Sequence, residues 1–164
     1  MRIIADRVTA AYDEPLVVFV IGMRINRLFP VGRWLKVART MPAMLAELKA
    51  NPASGFLHAE GALAGLRTVL FLQYWRSFDA LEAYARDADQ THWPAWRAFN
   101  KAIGTDGSVG IFHETYVVAP GGRESVYVNM PPFGLAAAGG TVPATGSREA
   151  ARQRMRGAGG TGTA

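Results

Sequence analysis

Between Arg67 and Val118, aromatic and ionisable side chains gather where predicted secondary-structure elements join: Tyr74, Trp75, His92, Trp93, Trp96, His113, Glu114 and Tyr116. An apolar strand that ends in Tyr-Trp-Arg-Ser and feeds a helix carrying His and Trp can line an apolar pocket with a few polar groups. That is the usual make-up of a small-molecule site. Histidine is the commonest general base, so His113 suits that role if it faces such a pocket; His92 is the other candidate. Tyr116 and Tyr127 are the candidate hydrogen-bond donors to the reacting group. Trp75, Tyr74 and Trp96 are candidates to line the pocket, Arg67 to hold an anionic substrate by a charge-assisted bond, and Glu114 to contact it.

Strand alternation limits these combinations. His113 and Glu114 are adjacent on a predicted strand and point to opposite faces, so they cannot form a facing acid–base pair. Tyr74 and Trp75 are divided in the same way. A polar group on an otherwise apolar face needs a partner if it is buried, so each could equally serve a purely structural bond.

The elements that would position these residues can be read from periodicity and punctuation. After a lead-in over residues 1–15, the run from Leu16 to Met23 is apolar on both faces and rich in β-branched residues, which predicts a buried central strand. From Trp34 to Leu48 the apolar positions recur at helical spacing, with Pro42 predicting a kink or a new start near Thr40 and Asn51-Pro52 the end. Phe56–Ala62 and Thr68–Trp75 read as strands separated by a hairpin-sized gap, hence antiparallel neighbours. Ser77 is a good N-cap for a second helix, with Asp79 and Glu82 placing negative charge at its positive end. That helix extends to about Ile103, and Gly104 suits its C-terminal cap. Val109–Val118 is the next strand, and Ser125–Met130 a fifth, halted by Pro131-Pro132.

The predicted order β-α-β-β-α-β with an extra β is the ferredoxin-like arrangement, an α+β fold whose antiparallel sheet carries two helices on one face. Its other face needs cover, most economically from a second copy of the chain, which predicts a homodimer. Residues 1–135 are thus read as one domain with its lead-in. Residues 136–164 are read as a disordered basic tail of Ala, Gly, Thr and Arg, with at most a short helix around Ser147–Arg156.

Composition excludes several classes. The chain has 164 residues, 49% of them hydrophobic and 19% charged, which suits one globular domain. The absence of cysteine removes disulfides, thiolate metal sites and a cysteine nucleophile, and fits a cytoplasmic protein. The net charge is +5, but four arginines against one glutamate beyond Ala136 carry three of those charges. A basic tail is not a groove-reading surface, and no nucleic-acid partner is expected. No apolar run is long enough to span a bilayer, so no membrane association is expected either. Phosphate-loop, nucleophile-elbow and His-Glu-x-x-His patterns are all missing.

Leu72-Gln-Tyr-Trp-Arg-Ser-Phe-Asp-Ala-Leu81 followed by His92 resembles the dimeric α/β-barrel superfamily that contains the antibiotic-biosynthesis-type monooxygenases. Gly110-Ile-Phe-His-Glu-Thr-Tyr116 and Tyr127-Val-Asn-Met-Pro131 resemble, more narrowly, an uncharacterised bacterial family related to the monooxygenase of fumagillin biosynthesis. The resemblance spans roughly residues 5–135. It implies a homodimer whose two sheets close into a barrel, with a pocket between sheet and helices in each subunit. It further implies oxygenation of an apolar, electron-rich small molecule of secondary metabolism, with no metal or flavin: a base removes a proton and the substrate anion donates an electron to oxygen. Haem-binding relatives place their ligand on the second helix, which makes His92 the position for haem if one is bound; a non-catalytic binding dimer is the third reading. Barrel closure could also bring His58 and Glu60 of one subunit near His113 of the other, but these three lack any compact metal-ligand spacing and no metal is expected.

Overall fold

Leu16–Ile25, apolar on both faces along most of its length, lies inside a four-stranded antiparallel sheet, paired along both edges. The structure, a computed structural model, describes residues 2–86 and 106–155. Its strands are β1 (Val8–Ala10), β2 (Leu16–Ile25), β3 (Phe56–Leu63), β4 (Thr68–Trp75), β5 (Val109–Val118) and β6 (Thr141–Pro143). The helices are α1 (Val31–Ala50), α2 (Phe78–Arg86), α3 (Leu135–Gly139) and α4 (Ala151–Met155). The main sheet has the order β3-β4-β2-β5, and β2 pairs antiparallel with both β4 and β5. With β3 and β4 joined as an antiparallel hairpin, this is the ferredoxin-like sheet that the sequence predicts.

One sheet face carries Val17, Trp75 and Phe56, which pack with Leu45 and Leu48 of α1 and Leu81 of α2. Trp75 is fully buried, edge-on to Phe56 at 5.4 Å between ring centroids. A second cluster, Met23, Ile25, Val37 and Val109, closes the other end of the same face. Ser77 caps α2 as predicted, its Oγ accepting from the Ala80 amide at 3.1 Å.

Three expectations need correction. The first helix starts at Val31 and continues through Pro42, so no new helix starts near Thr40. Burial of Val37 on one side of the proline and Leu45 and Leu48 on the other holds both halves to the sheet. Ser125–Met130 is not a fifth strand: it makes only two isolated antiparallel bridges, Val8 with Tyr127 and Ile4 with Met130. Asn129 sits at φ 54°, which interrupts the extended run before Pro131 is reached.

The third correction concerns the tail, which is folded against the domain over 136–155 rather than disordered. β6 pairs with β1, and Ala136 and Ala144 are buried. This segment is held by backbone contacts rather than by large apolar side chains. Arg7 donates from Nη1 to Ala144 O at 2.8 Å and from Nη2 to Glu149 O at 2.9 Å. Arg154 pairs with Glu124 and donates to Arg148 O. Gly139 lets the chain approach Tyr12 so closely that an added Cβ would sit 2.5 Å from the Tyr12 Cβ.

Candidate active site

The helix-bearing face of the sheet, with α1 and α2, lines an open cavity of about 310 Å³. Its floor is the alternate set of side chains from β2, β4 and β5: Phe19 and Ile21, Gln73 and Trp75, His113 and Thr115. Met41, Met44 and Leu48 of α1 and Phe78, Leu81 and Tyr84 of α2 form its walls. A smaller apolar cleft of about 50 Å³ adjoins it, sharing Ile21, Met41 and Met44. The period-2 pleat produces this floor, because residues paired across β2 share a face: Phe19 lies between Gln73 and Thr115, and Ile21 between Phe71 and His113.

The lining is apolar apart from His113, Gln73, Thr115, Tyr84 and Glu82. His113 lies against the Phe19 ring, 5.7 Å between centroids, and is exposed, so water can serve its ring nitrogens. Gln73 is 4% exposed. Its Oε1 accepts from the Trp75 indole N–H at 2.9 Å, and its Nε2 meets the Met41 sulfur at 3.8 Å. Tyr84 on the wall has its hydroxyl pushed above the usual phenol range, chiefly by burial and then by the negative charge of Glu47.

Of the residues singled out in the sequence, the structure brings His113 and Trp75 together at this cavity. Tyr116 and Glu114 lie on the opposite face of β5, where the Tyr116 hydroxyl donates to Glu114 Oε2. That bond, and then the carboxylate charge, raise the Tyr116 pKa. Within one chain Tyr116 therefore cannot share a substrate group with His113. Tyr74 is also on that second face, beside Tyr127, with its pKa pushed up to about 12, first by burial and then by Tyr127 and Glu60. The Tyr127 hydroxyl accepts from the Ala136 amide at 3.4 Å. Arg67 is exposed before β4, a whole strand away from Trp75 at its other end. His92, Trp93 and Trp96 lie outside the described residues, and with them the position for haem.

The second face has its own polar cluster. His58 Nε2 is 2.8 Å from Glu60 Oε1, and that oxygen accepts from the Gly134 amide at 3.0 Å. Gly134, at φ 57°, is required there, since a Cβ would come within 2.9 Å of the Tyr74 hydroxyl. The grouping of His58, Glu60 and His113 is divided between the two faces of the chain. Among the described residues no three His, Asp or Glu side chains are placed to hold a metal ion. Nor, among them, is any helix long and apolar enough to cross a membrane.

Gln73 escaped sequence reading, although one signal was present. It is the polar residue in phase with Phe71 and Trp75 on an otherwise apolar strand face.

The model of the family described as monooxygenase af470-like matches residues 16–135, which covers the whole main sheet, α1 and α2. Monooxygenase af470 of Aspergillus fumigatus is 34% identical over 66 residues, 40% of this chain and 22% of that protein. The match thus spans about a fifth of that relative's length. Solved structures are similar as well. SnoaB, a cofactor-independent oxygenase from Streptomyces nogalater, has a TM-score of 0.40 and 18% identity over 62% of this chain and 91% of its own. A dimeric ferredoxin-like protein from an uncultured marine organism has a TM-score of 0.44 and 15% identity over 64% and 96%. A Bacteroides thetaiotaomicron protein described as a possible oxidoreductase has a TM-score of 0.43 and 11% identity over 63% and 98%.

Proposed function

The chain belongs to the monooxygenase af470-like family, and from that premise we propose that it oxygenates an apolar, electron-rich small molecule of secondary metabolism, without metal or flavin. The observation that carries this reading is His113, an exposed basic side chain against the Phe19 ring, at a mostly apolar cavity that Gln73, Thr115, Tyr84 and Glu82 also line. His113 takes a proton from the substrate, and the resulting anion is electron-rich enough to pass an electron to oxygen. Combination of the pair gives a hydroperoxide at carbon, and loss of water leaves a carbonyl. One oxygen atom ends in the product and the other in water, so no external reductant is needed.

We place this site in a homodimer. Helices cover one sheet face, yet on the other face β5 leaves Tyr116 51% and Phe112 36% exposed. A second copy packed on this surface would cover it.

The test uses 1,5-dihydroxynaphthalene under labelled oxygen. Conversion to 5-hydroxy-1,4-naphthoquinone consumes one O₂ and releases one water, and the product should carry a single labelled oxygen. Conversion should be unaffected by chelators, and the protein should show no Soret or flavin absorbance. Product oxygen that comes from water, or turnover that requires an added metal, would sink the mechanism.

A further inference from the structure

Gln73 has a donor without an adequate acceptor. The indole N–H of Trp75 can only donate, so the Gln73 oxygen must face it and the amide NH₂ must point the other way. There its partner among the described residues is the Met41 thioether, a weak acceptor, at 3.8 Å. A buried amide N–H left on sulfur is a costly group to maintain for packing alone. It lies at the cavity whose opposite side carries His113. Phe19 stands between Gln73 and Thr115 in the sheet register, and its ring also lies against His113. Gln73 and His113 are two strand spacings apart, about 10 Å, and two residues out of step.

We infer that Gln73 is a substrate-binding residue, and that the cavity takes a planar aromatic molecule with an acceptor oxygen, carbonyl or phenolate, at the Gln73 end. The molecule lies along Phe19, with its ionisable position at the His113 end. Donation from Gln73 Nε2 holds the oxygen onto which negative charge moves when the proton leaves, so the same bond that selects the ligand strengthens as the anion forms. Met41 serves as the stand-in acceptor while the cavity is empty and yields because its side chain is unbranched and flexible. The inference rests on reading this cavity as the substrate site, but it does not require that oxygen be used.

The experiment is a binding measurement under argon, with quenching of tryptophan fluorescence by two probes that differ by one carbonyl: 1-tetralone and tetralin. The wild-type protein should bind 1-tetralone roughly 5- to 10-fold more tightly than tetralin, the size of one hydrogen bond gained. Gln73→Met should bring the two affinities together, while His113→Ala should leave their ratio unchanged. Because Gln73→Met also removes the Trp75 acceptor, Met41→Leu provides a second, volume-conserving variant. It removes the competing sulfur, and a ratio at or above wild type supports the inference. Equal wild-type binding of the two probes would overturn it, as would a preference that survives in Gln73→Met or a Met41→Leu ratio that falls to parity. Selective binding without oxygenation would defeat the proposed reaction alone; oxygenation without selectivity would defeat the role of Gln73 alone.

Discussion

The two faces of the main sheet carry similar chemical groups in opposite states. On the second face His58 is paired with Glu60, Glu60 with the Gly134 amide, Tyr116 with Glu114, and Tyr127 with the Ala136 amide. On the helix face His113 has no hydrogen bond among the described residues, and the Gln73 amide nitrogen has only a thioether. Residue type alone does not separate the two, since each face has its histidine. What separates them is whether the polar capacity is spent. Spent capacity holds the fold together; an exposed imidazole at the cavity and a buried amide facing only sulfur are available to a ligand.

The largest expected effect tests the helix face. His113→Ala should lower turnover by about 10²- to 10⁴-fold, the usual worth of a general base, with an unchanged thermal midpoint. Steady-state rates and calorimetry on the same sample check both halves. A lower midpoint would move His113 to the structural side of the comparison.

Truncation after residue 135 comes next, and it acts on the second face. It removes the β1–β6 pairing and the Ala144 and Glu149 carbonyls that Arg7 binds. The melting temperature should fall by several degrees, because buried backbone partners are lost together. A truncated protein that melts with the full chain would show that this segment contributes no stability.

Glu60→Ala should cost about 1–3 kcal/mol by leaving the Gly134 amide and His58 without their acceptor, while turnover stays near wild type. Denaturant unfolding measures the cost. A large loss of activity at unchanged stability would instead give the second face a role in chemistry.

The smallest effect concerns alkaline stability. The folded-state pKa of Tyr74 is raised above its ordinary value to about 12, so the folded protein holds this proton more tightly than the unfolded chain. Its contribution is fully present below about pH 10 and is lost as pH rises toward 12. Tyr74→Phe should therefore flatten the fall in melting temperature between pH 10 and pH 12. An equally steep fall in the variant would assign the alkaline loss to other groups.

The main sheet was legible in the sequence because its signals are local. Leu16 to Met23 is apolar on both faces, the gap between Ala62 and Thr68 is hairpin-sized, and Ser77 is a cap in plain view. The order of residues 136–155 was not legible, since hydrophobicity patterns do not register it. It depends on arginines that bind distant carbonyls and on glycines that admit Tyr12 and Tyr74. Alternation along β5 already divided His113 from Glu114 and Tyr116, so a pairing of His113 with Tyr116 could have been rejected on periodicity. The state of Gln73 was beyond sequence, because it requires knowing that the Trp75 indole takes its oxygen and that Met41 stands at its nitrogen.

The contrast between spent and unspent groups is tested most directly by nuclear magnetic resonance of the histidine imidazoles, of which the chain has three, during titration with 1-tetralone. Assignment comes from the single His→Ala variants. The His113 ring signals should shift in proportion to occupancy, while those of His58, held by Glu60 on the other face, stay in place. Movement of His58 with His113 unchanged would contradict the account and put the ligand on the second face.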